Sequence, residues 1–106
     1  ERVVMLLLDA TNRDIHTSDV CRGSLNASMI RESEIIHDTV RHNAARLIVA
    51  HNHPGGDPEP SQEDVVVTRN SVEAGELLDI DVIDHSVIGR RQHVSLHERG
   101  LDSDVA

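Results

Sequence analysis

His51 and His53 stand one residue apart, Ser61 follows after a further seven residues, and Asp64 lies eleven positions beyond His53. Two imidazoles and a carboxylate offer three N and O donors, the number a catalytic zinc takes from protein while its fourth position stays open to water. The local sequence says how they can converge. Arg46-Leu47-Ile48-Val49-Ala50 reads as a short buried strand, so His51 and His53 project from the same side of its end. Pro54-Gly55-Gly56-Asp57-Pro58 must be a loop, because its prolines and glycines break any ladder or helix. Ser61 opens the next helix, and Asp64 falls in its first turn, from which it can swing back over the two histidines. A strand end and a helix start would then hold one ion.

Each piece has a plainer role as well. Ser61-x-x-Asp64 resembles a helix cap, with the hydroxyl on a backbone N–H and the acid near the positive helix end. A His-x-His pair by itself is more often solvated or structural. The three together, around a rigid Pro/Gly loop, point to metal binding. Asp84-His85 allows two readings: an acceptor that fixes a ligand imidazole's tautomer from an exposed strand end, or a partly buried, satisfied histidine. The pair stays outside the metal set. His16, His37, His42, His93 and His97 are scattered and expected in solvent.

The elements that must position these groups can be read along the chain. Val3 to Leu8 is a continuous apolar run, consistent with a strand buried on both faces. Thr11-Asn12-Arg13-Asp14 supplies a turn, and Ile15 to Arg22 returns as an antiparallel strand. Leu25 to Ile30 adds a short extended piece. Ser33 to about Ala45 is helical, with Ile35, Ile36, Val40 and Ala44 inward. The helix from about Gln62 to Leu78 is expected to bury Val65, Val66, Val72, Leu77 and Leu78, with Gly75 as a local weakness. Ile80 to Ile88 and His93 to Leu96 form a final hairpin, and the acidic tail after Leu101 frays. These elements predict one layered α/β domain over residues 1–106, with a mixed sheet and two main helices.

Composition excludes several classes. A chain of 106 residues supports one core, and no segment reaches the apolar length of a membrane span. Cys21 is the single cysteine, so neither an internal disulfide nor the Cys-x-x-Cys zinc site of nucleobase deaminases can form. It reads as a small buried side chain in a reducing, cytoplasmic setting. The net charge is −9, every basic residue is Arg, and aromatic residues are absent. Adaptation to high salt and the Arg bias of a GC-rich genome both account for that balance. Either way, a repulsive field without stacking platforms argues against strong direct DNA binding.

The longer text narrows the reading. His-x-His, seven residues, Ser, two residues and Asp resembles the JAMM motif of MPN-domain metallopeptidases. Gly23-Ser24-Leu25-Asn26-Ala27-Ser28, His51 through Ser61, Asp84-His85-Ser86-Val87-Ile88-Gly89 and Ser95-Leu96-His97-Glu98-Arg99-Gly100 together resemble the RadC family, whose members are traditionally called DNA repair proteins. The resemblance implies a cytidine-deaminase-like layered fold and a zinc ion on His51, His53 and Asp64. It also implies Ser61 as oxyanion support and a glutamate before an early strand as acid/base. Glu1 matches that position, with Glu32 and Glu34 as the alternatives. The chain, which starts at Glu1, is expected to be the C-terminal part of a longer protein.

The expected function is a zinc-dependent hydrolase cleaving an amide or isopeptide bond in a protein or peptide substrate, with homo-oligomers possible in principle. The alternative is a non-enzymatic module of DNA repair or recombination acting through partners. A nuclease read from the His-Asn-His text is disfavoured, because nucleases of that name spread those residues over a hairpin and a helix.

Overall fold

Strand formation here follows aliphatic runs, and their pairing decides where the histidines end up. The structure, a computed structural model, describes residues 2–21 and 32–102. Its elements are β1 (Val3–Leu8), β2 (Asp14–Cys21), α1 (Glu32–Arg41), β3 (Arg46–Asn52), α2 (Gln62–Leu78), β4 (Asp81–Ile88) and β5 (His93–Ser95). One sheet runs in the order β2-β1-β3-β4-β5. β1 is antiparallel to β2 and β3, β3 is parallel to β4, and β5 closes an antiparallel hairpin on β4. The sheet is mixed, as expected, and α2 is the crossover that a parallel pair requires. Glu1, the extended piece at 25–30 and the tail from 103 onward lie outside the described residues, as does the Cys21 side chain.

β1 alternates from Val3 to Leu7 rather than being covered equally on both faces, although Leu8 at its end is buried as well. Val3, Met5 and Leu7 are buried, whereas Val4 and Leu6 are half-buried. The buried face meets Leu47 and Val49 of β3, Ile35 of α1, and Ala44, Ile80 and Val82. With no aromatic ring available, these aliphatic side chains supply the core, each contributing roughly 1.5–3 kcal/mol on burial. β3 runs two residues further than the apolar run suggested. His51 is paired on both sides, with Val3 and with Val87, so the first candidate ligand sits inside the ladder rather than beyond it.

Both helices correct the expected burial. α1 ends at Arg41, not near Ala45. Asn43 takes a left-handed φ of 53°, and the Ala44 N–H donates back to the Thr39 carbonyl at 3.0 Å, closing the helix. Val40, expected inward, is exposed. On α2 the inward stripe is Asp64, Thr68, Ser71 and Gly75, while Val66, Leu77 and Leu78 are exposed and Val65 and Val72 half-buried. The helix is turned so that polar and small residues face the sheet. This polar burial is only partly satisfied. Thr68 Oγ1 meets His85 of β4 and the Asp64 carbonyl, and Asp64 Oδ2 accepts from the Ser61 N–H, while Asp64 Oδ1 and Ser71 Oγ have no hydrogen-bond partner among the described residues.

Gly75 is a packing requirement rather than a weakness. A Cβ there would lie 2.5 Å from the Ile80 carbonyl oxygen, and the Ile80 N–H donates to the Gly75 carbonyl at 2.8 Å. Helix propensity alone would make Gly75→Ala stabilising by about 1 kcal/mol. The backbone clash reverses the sign, and the variant is expected to lose about 1–3 kcal/mol. A lower urea midpoint at unchanged slope would show it; an unchanged or raised midpoint would count against the close approach.

Candidate metal centre

His51 reaches the site from inside a central strand, His53 from the first residue past it, and Asp64 from the first turn of α2. The chain leaves β3 with the His53 N–H on the Ile88 carbonyl, 3.0 Å away. It then turns through Gly56, whose φ is 89° and whose N–H bonds the His53 carbonyl at 2.9 Å. Ser61 caps α2. Its Oγ accepts from the Asp64 N–H at 3.1 Å, and Asp64 Oδ2 accepts from the Ser61 N–H at 2.8 Å. The cap and the metal reading therefore do not compete: the reciprocal cap aims the carboxylate.

The aim is close. Asp64 Oδ1 lies 3.3 Å from His51 Nε2, and Oδ2 lies 3.3 Å from His53 Nε2. One ligand atom from each residue falls within 4.8 Å of the others, so the group could bind a metal ion. His51 and Asp64 are buried, and the His53 side chain is 22% exposed, leaving one open side. Asp64 Oδ1 is buried and receives no hydrogen bond from the described residues. A buried carboxylate oxygen needs a partner, and a cation held by two nitrogens and an oxygen fits the vacancy in its bonding. Burial pushes the Asp64 carboxyl pKa up. The Ser61 N–H and the polar surroundings of the site outweigh that and hold it well below the usual carboxylate range. It is thus ionised at neutral pH, as a ligand must be.

His53 is oriented by backbone. Its Nδ1 is 2.9 Å from the Asp57 carbonyl, which can only accept. In its neutral form the ring would carry its proton on Nδ1 and turn a lone pair at Nε2 toward Asp64 Oδ2. A lone pair facing a carboxylate oxygen is repulsive unless a cation lies between them. A depression of about 390 Å³ lined by Arg2, Val4, Ala50, His51, Asn52 and Ile88 includes neither His53 nor Asp64.

Behind His51 lies a residue that the sequence left open. His85 is buried on β4, not at an exposed strand end, and its Nε2 is 2.7 Å from His51 Nδ1. Its Nδ1 meets Thr68 Oγ1, and Thr68 Oγ1 lies 2.8 Å from the Asp64 carbonyl. Burial first, then the neighbouring His51, lowers the His85 pKa to about 4. Asp84 points elsewhere, accepting from the His85 N–H, the Ser95 hydroxyl and the His97 N–H. Thr68 was missed altogether. Its spacing of four from Asp64 places it on the same helix face, which would have revealed it once that face was known to point inward.

The structure thus brings His51, His53, Ser61 and Asp64 together. Glu1 lies outside the described residues, as does the Glu32 side chain, and Glu34 is exposed on α1. His16 stacks on His42 with ring centroids 4.1 Å apart, and His97 pairs with Asp102 at 2.7 Å. No helix among the described residues is long and apolar enough to cross a membrane.

A mixed-sheet α/β domain, with His-x-His leaving its central strand and an Asp returning from the crossover helix, is consistent with a JAB/MPN domain bearing a metal-type site. The RadC-like JAB domain family model matches residues 1–101, and the chain belongs to that family. It is 54% identical over 101 residues to a UPF0758 protein of Roseiflexus castenholzii, covering 95% of this chain and 43% of that protein. It is 50% identical to one of Chloroflexus aurantiacus and 44% identical to one of Methanosarcina barkeri, in each case over 95% of this chain and 44% of the relative. The chain spans less than half the length of these curated relatives.

Proposed function

We propose that this domain is a zinc-dependent hydrolase acting on an amide or isopeptide bond of a protein or peptide. The observation that carries the reading is the arrangement of Asp64 between His51 and His53, at 3.3 Å from each, with a buried oxygen that no described residue satisfies. Zinc held by these three residues would lower the pKa of a bound water from about 15.7 to roughly 7 and polarise a carbonyl. His53 keeps its Nε2 lone pair inward through the Asp57 carbonyl. Ser61 Oγ accepts from the Asp64 N–H, so its own proton is available to a developing oxyanion. Glu1 is assigned the proton transfer from the attacking water to the leaving amine. Support for that assignment is its neighbour Arg2, whose N–H bonds the Asn52 side chain at 2.7 Å, between the two histidines in sequence. A net charge of −9 favours a protein or peptide substrate over a polyphosphate.

The test pairs metal analysis with turnover on linear and isopeptide-linked peptides. Protein purified without chelator should carry near-unit zinc. Glu1→Gln should abolish turnover while keeping the metal, and Ser61→Ala should lower kcat about 10²–10³-fold. Full zinc loading with no hydrolysis of any amide would favour a module acting through partners. Zinc retained by the His51→Ala, His53→Ala double variant would sink the site itself.

A further inference from the structure

His51 belongs to a chain of hydrogen bonds whose proton directions can be read from one end. The backbone carbonyl of Asp64 can only accept, so the Thr68 hydroxyl, 2.8 Å away, donates its single proton there. Thr68 Oγ1 then has only lone pairs left for His85, and His85 Nδ1 must carry a proton. Burial keeps that ring neutral, so its Nε2 is a lone pair. His51 must therefore donate from Nδ1 across the 2.7 Å contact, which leaves its own lone pair on Nε2, the atom facing Asp64.

We propose that Thr68 and His85 are positioning residues that lock His51 in its metal-accepting tautomer, an inference that rests on the metal reading above. The two ligands need different devices because of where they sit. His53 lies past the strand end and borrows a loop carbonyl. His51 lies inside a strand paired on both sides, where backbone carbonyls belong to the ladders. Its same-face neighbour across the ladder is His85, which pairs with Val49, two residues before His51. A histidine can pass on a proton direction but cannot choose one, so the choice is made by Thr68. Thr68 in turn is polarised by the carbonyl of Asp64, a ligand residue, and the relay starts and finishes at the same site.

Removing the hydroxyl frees the direction. In Thr68→Val, His85 has no acceptor for an Nδ1 proton and is best satisfied by protonation on Nε2, donating to His51 Nδ1. His51 then carries its proton on Nε2 and blocks the metal position. Thr68→Ser keeps the hydroxyl and should behave like the unaltered protein. The experiment reads long-range proton–nitrogen correlations of nitrogen-15-labelled histidines in metal-free protein at neutral pH, together with zinc affinity by competition with a chromophoric chelator. Both His51 and His85 should be Nδ1-protonated in the unaltered protein and in Thr68→Ser. Thr68→Val should show the reversed tautomers and bind zinc about 10–100-fold more weakly. An Nε2-protonated His51 in the unaltered protein overturns the relay, as does equal zinc affinity in Thr68→Val. No zinc uptake by the unaltered protein, with the expected tautomers present, overturns the metal reading and the role assigned here with it.

Discussion

Zinc added to chelator-stripped protein is expected to raise its melting temperature, by an amount that grows with the logarithm of free metal. A ligand that binds only the folded state stabilises it by about 2.7 kcal/mol at a hundredfold excess over its Kd. In a domain of this size, 1 kcal/mol moves the midpoint by roughly 4–8 °C, so the shift should be on the order of 10–20 °C. The site suits this measurement because the cap, the Asp57 carbonyl and the His85 contact already hold the three candidate ligands in place. His53→Ala is the informative variant: its ring is partly exposed and lies outside the core cluster. The metal-free fold should persist while the zinc-dependent shift disappears. Asp64→Asn should also lose the shift, since an amide cannot supply the anionic ligand. Calcium and magnesium should do far less, because they prefer more oxygens than one carboxylate provides. A shift of equal size in His53→Ala would place the metal elsewhere.

The convergence of these residues was legible because it is local. His51, His53, Ser61 and Asp64 lie within one strand–loop–helix unit, and each junction is marked by its own residues: prolines and glycines in the loop, a Ser/Asp box at the helix start. The ends of α2 were readable for the same reason. Its rotation was not. Counting apolar residues turned Val66, Leu77 and Leu78 inward, yet the face that meets the sheet carries Asp64, Thr68, Ser71 and Gly75. Hydrophobic periodicity assumes that burial is driven by transfer from water. Here a polar stripe is buried against His51 and His85, which come from two other strands, with only Thr68 hydrogen-bonded to them, and the sequence around α2 contains neither histidine. His85 was ambiguous for the same reason, being seventeen residues from Thr68. The early end of α1 depends on a left-handed Asn43, a conformation Asn tolerates but does not announce.

Gly89→Ala is expected to weaken both the fold and zinc binding, although Gly89 touches no ligand. Its backbone is not left-handed; the space around it is what matters. A Cβ at Gly89 would collide with the Gly56 carbonyl oxygen and sit 2.8 Å from Pro58 Cδ and 2.9 Å from the Pro58 nitrogen. All three belong to the backbone or ring of the loop after His53, so no flexible side chain can yield. That loop is fastened to the β4–β5 turn by the Arg90 N–H on the Gly56 carbonyl at 2.8 Å and by the His53 N–H on the Ile88 carbonyl at 3.0 Å. Pushing the loop away moves the Asp57 carbonyl that holds His53 in its tautomer. The variant should lose about 1–3 kcal/mol of stability, as overpacked sites do, and at least about tenfold in zinc affinity, as disturbed ligand supports do. Gly55→Ala is the matched control in the same loop, because a Cβ there meets nothing within 4 Å. It should stay within about 0.5 kcal/mol of the unaltered protein and bind zinc normally. Thermal melts and chelator competition on the two variants compare a steric lock with an open position in the same loop. If Gly89→Ala melts and binds like Gly55→Ala, the turn does not hold the loop, and His53 must owe its orientation to the metal alone.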